Sequence, residues 1–294
     1  MTAIHVSCVA RSRTVPISAT EAAGRRPFEC AQTALAVTHQ TWTVWRTTIG
    51  SSADQRESPW EQSRVAVITG ASQGFGAGLV KAYRDRNYRV IANSRSIKPS
   101  NDSDVLTVAG DVADPKTADR IVEEGLARFG RIDTLINNAG IFIAKPLVDY
   151  SDDDYASVVA INLGGFFRIT RRVAAEMLKQ GSGHIVQITT SLIDHANSNV
   201  PSVLASMTKG GLNAATKSLA IEYAKKGVRV NAVAPGVMKT PMHAPETHEF
   251  LAKMHPVGRM GEIKDIVDAI LFLENAPFVT GEILHVDGGQ SAGH

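Results

Sequence analysis

The sequence predicts an α/β fold: a doubly wound parallel sheet with helices on both faces, in a single domain over residues 61–294. Three observations carry the prediction. Short β-rich runs alternate with longer helical patterns along the chain. The runs are continuously apolar, as strands covered on both faces must be. The first run ends in a glycine-rich turn that opens directly into a helix.

The elements follow in order. RVAVIT (64–69) is the first strand, and a helix follows over about 76–86. YRVIAN (88–93) and VLTVAG (105–110) are the next two strands. Pro115 starts a helix, since its missing N–H costs nothing in the first turn. IDTLIN (132–137) is the fourth strand, and one long helix is expected over about 153–179. HIVQITT (184–190) is the fifth strand. A helix starts after Val203, and VRVNAVA (228–234) is the sixth strand. A helix near 263–273 and the strand EILHVD (282–287) complete the sheet.

Residues 1–60 stand apart as an N-terminal extension. They hold six arginines, no lysine and four acidic residues, a charge of +2, whereas the remaining 25 basic and 25 acidic residues cancel. The segment lacks a sustained period of 2 or 3.6. It reads as a disordered extension, with a start site set too far upstream as one explanation. A transit peptide is the alternative, although Glu21, Glu29, Trp42 and Trp45 fit that poorly. Cys8 and Cys30 lie here, so the domain can build neither a disulfide framework nor a cysteine metal site. The near-neutral domain lacks a nucleic-acid footprint, and no apolar run reaches the ~20 residues of a membrane span. The expectation is a cytoplasmic protein with no metal, no nucleic-acid partner and no membrane partner.

TGASQGFGAG (69–78) places Gly70, Gly74 and Gly76 at a strand-to-helix junction, the dinucleotide-binding position of a Rossmann-type sheet. Glycines let the backbone approach a pyrophosphate, whose oxygens then face helix N–H groups. Ser72, Gln73 and Phe75 in the same turn are further candidate contacts. At the end of the second strand an acidic residue would hold a ribose 2′-hydroxyl. The sequence instead has Asn93, Ser94 and Arg95. Arg95 can fork onto a 2′-phosphate, with Ser94 beside it, which favours NADP over NAD.

Together these motifs resemble the short-chain dehydrogenase/reductase family from about residue 64 onward. AGDV (109–112) resembles the adenine-binding segment, with Asp111 and Val112. NNAG (137–140) is similar to the segment beside the cofactor, with Asn138, Ala139 and Gly140. NAVAPGVMKTPM resembles the segment after the sixth strand, with Pro235, Gly236, Val237 and Thr240. VTGEILHVDGG resembles the C-terminal strand. The resemblance implies a catalytic tetrad of Asn, Ser, Tyr and Lys. Asn162 in INLGG and Lys209 fill two places, and Lys209 also holds the nicotinamide ribose. The serine place falls on Thr190, with Ser191 next to it. The tyrosine place falls on Ala205, and residues 190–209 contain no tyrosine.

Carbonyl reduction still needs a proton at the oxygen. Three groups are candidates: Lys209 acting through a water in the space beside Ala205, His195 on the preceding loop, and Ser206. The water relay is preferred. His195 reads more simply as a loop histidine, and Ser206 sits about 100° around the helix. Residues 236–260 form the expected lid, with Met238, Met242 and His243. Ile193 and Val200 face it, which points to a small or medium apolar carbonyl or alcohol substrate. A helix face with Leu204, Gly211, Leu212, Ala215 and Leu219 suits packing on a second copy, and the resemblance implies a homodimer or homotetramer. The expected function is an NADP-dependent oxidoreductase with a modified tetrad. The alternative is a non-catalytic cofactor-binding sensor or partner subunit.

Overall fold

The computed structural model describes residues 63–293. The expectations for residues 1–60 lie outside the described residues. Seven strands form one parallel sheet in the order β3-β2-β1-β4-β5-β6-β7. They are β1 (Val65–Thr69), β2 (Arg89–Ser94), β3 (Val105–Ala109), β4 (Thr134–Asn137), β5 (Gly183–Ile188), β6 (Val228–Pro235) and β7 (Ile283–Val286). β1 pairs with β2 on one side and β4 on the other. Strand order therefore reverses between β1 and β4, and a crevice opens there beyond their carboxyl ends.

Every residue of β1 is buried, because its two faces enter two cores. Ala66 and Ile68 join Leu79 and Tyr83 of α1 (Gly74–Arg84) and Ile266 and Ile270 of α7 (Ile263–Asn275). Val65 and Val67 join the opposite core. There Ile121 and Val122 of α2 (Pro115–Phe129) meet Val173 and Met177 of α4 (Phe166–Gln180). α5 (Val203–Tyr223) adds Ala220 to that layer. This is why the strand runs read as continuously apolar.

Helix boundaries follow local chemistry. The Asp114 side chain accepts the Lys116 N–H at the start of α2, Pro115 takes its first turn, and Gly130 ends it at φ 76°. Gly125 on α2 lets the helix close onto β2, since a Cβ there would lie 2.3 Å from Ile91 Cδ1. α3 (Asp152–Val158) begins with a capping box between Ser151 and Asp154. The Arg229 guanidinium on β6 caps α7. It donates to the carbonyls of Leu273, Glu274, Ala276 and Val279.

Two expectations change. The long helix over 153–179 is α3 and α4 joined by a π-helical turn, Val159–Gly165. One wider turn is invisible to hydrophobic periodicity. On α5, Leu204 and Leu212 are buried in their own chain at 5% and 2% exposure, so they cannot pack on a second copy. The large exposed apolar side chains of α5 are Met207 and Ile221. The lid segment contains the 3₁₀ turn Pro245–Thr247 and the short α6 (His248–Ala252).

Candidate active site

A cavity of about 460 Å³ follows the β1/β4 crevice. At one end, the turn after β1 contributes Gly70, Ser72, Gln73, Gly74 and Phe75. Gly70 and Gly74 have φ of +64° and +54°, which side-chain-bearing residues rarely adopt. Asn138 braces this turn, its Nδ2 donating to the carbonyls of Thr69 at 2.9 Å and Gly70 at 3.2 Å. Thr69 Oγ1 accepts from the N–H groups of Asn138 and Ala139. Both Asn138 and Ala139 also line the cavity.

Gly76 does not line it. A Cβ at Gly76 would lie 2.1 Å from the Gly70 carbonyl oxygen. The third glycine therefore packs the helix start against the turn.

Ser94, Arg95, Asp111 and Val112 line the far end. The Ser94 hydroxyl is buried without a hydrogen-bond partner, and Arg95 is exposed beside it. Asn93 holds β2 to β3 by donating to the carbonyls of Val108 and Gly110. The Asp111 carboxylate accepts the Ala113 N–H.

At the other end, Lys209 meets Thr190, Ser191 and Ala205 on one wall. Lys209 Nζ donates to the Ile188 carbonyl at 2.6 Å. Burial pushes its pKa down to about 8. A Cβ at Gly140 would lie 3.0 Å from that Nζ, so the glycine gives the ammonium close approach to the backbone there. Thr190 starts a single 3₁₀ turn, its Oγ1 accepting the Leu192 N–H at 3.3 Å. Ser191 is fully buried and donates to Gln290 Oε1 at 3.1 Å.

Asn162 does not line this cavity. It sits in the π-helical turn at 2% exposure. Its Oδ1 accepts the Ile141 N–H, and its Nδ2 donates to the Ile141 carbonyl and to Thr208 Oγ1. All its polar atoms are engaged in tying the segment after β4 to α5. His195 and Ser206 are also off the wall, as is Ile193. Val200, Met238, Met242 and His243 are on it.

Pro235, Gly236, Val237 and Thr240 line the cavity below the lid. His255 fixes the lid base, its Nε2 accepting the Val237 N–H at 2.9 Å while Nδ1 lies 3.1 Å from the Leu251 carbonyl. Burial, together with neighbouring His248, lowers the His243 pKa. Sequence reasoning missed Leu251, Met254 and Gln290 on this wall. The methionine and leucine follow from the lid pattern, but a lone glutamine after two glycines carries no signal before the fold places it.

Parallel strands, a glycine turn at the point of order reversal and a half-buried lysine facing it define a dinucleotide-dependent oxidoreductase site. The chain belongs to the short-chain dehydrogenase/reductase family of NAD(P)-dependent oxidoreductases. A family profile described as enoyl-(acyl carrier protein) reductase matches residues 68–291. The 3-oxoacyl-[acyl-carrier-protein] reductase FabG of Salmonella typhimurium is 34% identical over 241 residues, covering 78% of this chain and 98% of that protein. The (2S)-[(R)-hydroxy(phenyl)methyl]succinyl-CoA dehydrogenase subunit BbsD of Thauera aromatica is also 34% identical, over 78% and 97% of the two chains. Among solved structures, ElxO with NADP bound superposes at a TM-score of 0.73 and 28% identity, over 79% and 100% of the chains. The 3-ketoacyl-(acyl-carrier-protein) reductase of Brucella melitensis with NADH matches at 0.73 and 29%, over 78% and 99%.

Proposed function

We propose that this protein is an NADP-dependent oxidoreductase that interconverts a small or medium carbonyl compound and its alcohol without a tyrosine. The observation that carries this is one continuous cavity joining the glycine turn, the Ser94–Arg95 edge and Lys209. The residues fit the cofactor by their own chemistry. The unpartnered Ser94 hydroxyl and the Arg95 guanidinium offer donors to a 2′-phosphate, and a carboxylate that would repel one is missing from that edge. Backbone at Gly70 and Gly74 leaves room for a pyrophosphate. The bound nicotinamide would supply or accept the hydride.

The chain's own groups handle charge and proton. Lys209 would hold the nicotinamide ribose and give its proton to a water beside Ala205. No tyrosine lines the cavity among the described residues, and the alanine leaves space for that water. A lysine with its pKa near 8 exchanges protons readily around neutral pH. Thr190 would orient the substrate carbonyl. Asn162 would act at one remove, by fixing the segment beside Lys209. The apolar lid residues Met238, Met242, Leu251 and Met254 suit a largely apolar substrate.

Substitution tests the scheme. Lys209→Ala should lower turnover by roughly 10³-fold or more, because it removes both the proton source and the ribose contact. His195→Ala should leave turnover within about twofold of wild type, since His195 does not line the cavity. The reverse pattern contradicts the relay. Ala205 also favours a second reading, a sensor that binds cofactor without catalysis. NADPH binding by fluorescence with no turnover across a broad panel of ketones, aldehydes and alcohols would establish that reading instead. Ala205→Tyr in the same assay reports whether the space is vacant or used.

A further inference from the structure

Among the described residues, three buried polar groups that lack a partner also line the cavity: Asn93, Ser94 and Gln290. Two of them lie at the adenosine end, where a nucleotide would meet them. Gln290 lies at the other end, and nothing in the scheme above uses it.

The fold places its side chain firmly. β7 ends in a tight turn in which the Asp287 carboxylate accepts the N–H groups of Gly289 and Ser291 at 3.0 and 2.8 Å. Gly288 and Gly289 take φ of +62° and +91°, and the Gln290 N–H donates to the Asp287 carbonyl. The side chain is thereby carried inward to 1% exposure. Ser191 Oγ–H donates to its Oε1 at 3.1 Å, and Nε2 has no partner. Leaving an amide N–H unpaired in the interior costs about 1–3 kcal/mol. Such a cost at a cavity wall is recovered when a bound acceptor arrives.

We propose that Gln290 Nε2 donates a hydrogen bond to the reacting oxygen of the substrate, with Ser191 as the positioning residue that orients the amide. This rests on the oxidoreductase reading above. In carbonyl reduction the carbon gains hydride, the C=O π pair moves to oxygen, and that oxygen takes its proton from the water beside Lys209. Negative charge on the oxygen grows before the proton arrives. A preorganised N–H is worth most at that point, because the charge it meets is larger in the transition state than in the ground state. Gln290 and Thr190 then stabilise the charge that a phenol would otherwise meet, and Lys209 supplies the proton.

The test is Gln290→Met in the full-length chain. Methionine has a similar length and no N–H. The reading predicts kcat lower by about 10²-fold, the loss typical of one oxyanion donor. It also predicts unchanged NADPH affinity by fluorescence and a melting temperature close to wild type, since the unpaired amide N–H is gone while the buried Ser191 hydroxyl loses its acceptor. Gln290→Glu, which puts a carboxylate next to the growing charge, should lose more. The probe is the ketone or aldehyde that wild type turns over fastest in the panel. A Gln290→Met enzyme with kcat within twofold of wild type overturns the proposal. So does a lowered melting temperature with weakened NADPH binding, which would mark a purely structural glutamine. Wild type that binds NADPH but reduces nothing in the panel overturns the oxidoreductase reading and this one with it.

Discussion

In the proposed reading Arg95 would carry the preference for NADP almost alone, because Ser94 is a neutral donor and, among the described residues, the β2 edge contributes no other cation to the cavity wall. Arg95→Ala should therefore raise the NADPH dissociation constant by roughly tenfold or more and move the NADH constant little, since a hydrogen bond to a charged group is worth about 1.5–3 kcal/mol. Fluorescence titration of both nucleotides reads the ratio. An equal change in both would place Arg95 at a shared part of the cofactor. This residue was legible in the sequence because it follows a strand end, and the fold holds strand ends at the crevice. Thr190 also follows a strand end, whereas Lys209 was read from its motif near the start of α5. Gln290 was not legible, and for Asn162 the sequence offered the candidate but not its contacts. The side chain of Asn162 is spent on the Ile141 backbone, a contact made across 21 residues of chain. Gln290 meets Ser191 across 99 residues. No local pattern encodes either pairing.

At the scale of elements, the turn between β1 and α1 is where sequence and geometry agree most closely. Its glycines have separate tasks, however. Gly70 and Gly74 supply the backbone conformation, while Gly76 supplies clearance from the Gly70 carbonyl. Gly76→Ala would force the turn open, because the obstructing atom belongs to the backbone. The variant should lose most of its NADPH affinity and melt several degrees lower, in line with a cost of about 1–3 kcal/mol for overpacking. A Gly76→Ala protein that binds NADPH normally would refute this division of labour. The strands were read correctly because both faces of each central strand are apolar. The single-helix reading of 153–179 failed at the π-helical turn, where the backbone widens without any break in composition.

Across the whole molecule, the edge of the sheet opposite the cavity holds a buried polar cluster. Glu274 of α7 accepts from Tyr83, Tyr88, Thr134 and His184. Burial alone would raise its carboxyl pKa, but the hydrogen bonds from His184, Thr134 and Tyr83 outweigh this and lower it. Burial likewise lowers the His184 pKa. The neighbours define its neutral form: Nδ1–H donates to Glu274, and Nε2 accepts from Asn231 Nδ2. Acid would put a proton on Nε2, directly against that amide. The unfolded chain takes this proton near pH 6.5, so stability from His184 is complete above that pH and is lost below it. The Glu274 contribution is present above the ordinary carboxylate range and is lost as pH falls through its lowered value. The melting temperature should therefore fall as pH drops from about 6.5 to 5, with a shallower slope in His184→Asn. A wild-type melting temperature that is flat or rising over that range would contradict the cluster's assigned protonation.

The central claim is that Lys209, rather than a phenol, governs the proton in this cavity. The most direct measurement is the pH dependence of kcat/KM for NADPH-dependent carbonyl reduction, followed by nicotinamide absorbance. The account predicts a rate that is high below the lysine's pKa and falls above an apparent pKa of about 8, with that limb missing from any residual activity of Lys209→Ala. A rate that stays level through pH 8, or a Lys209→Ala enzyme that keeps the same falling limb, would contradict it.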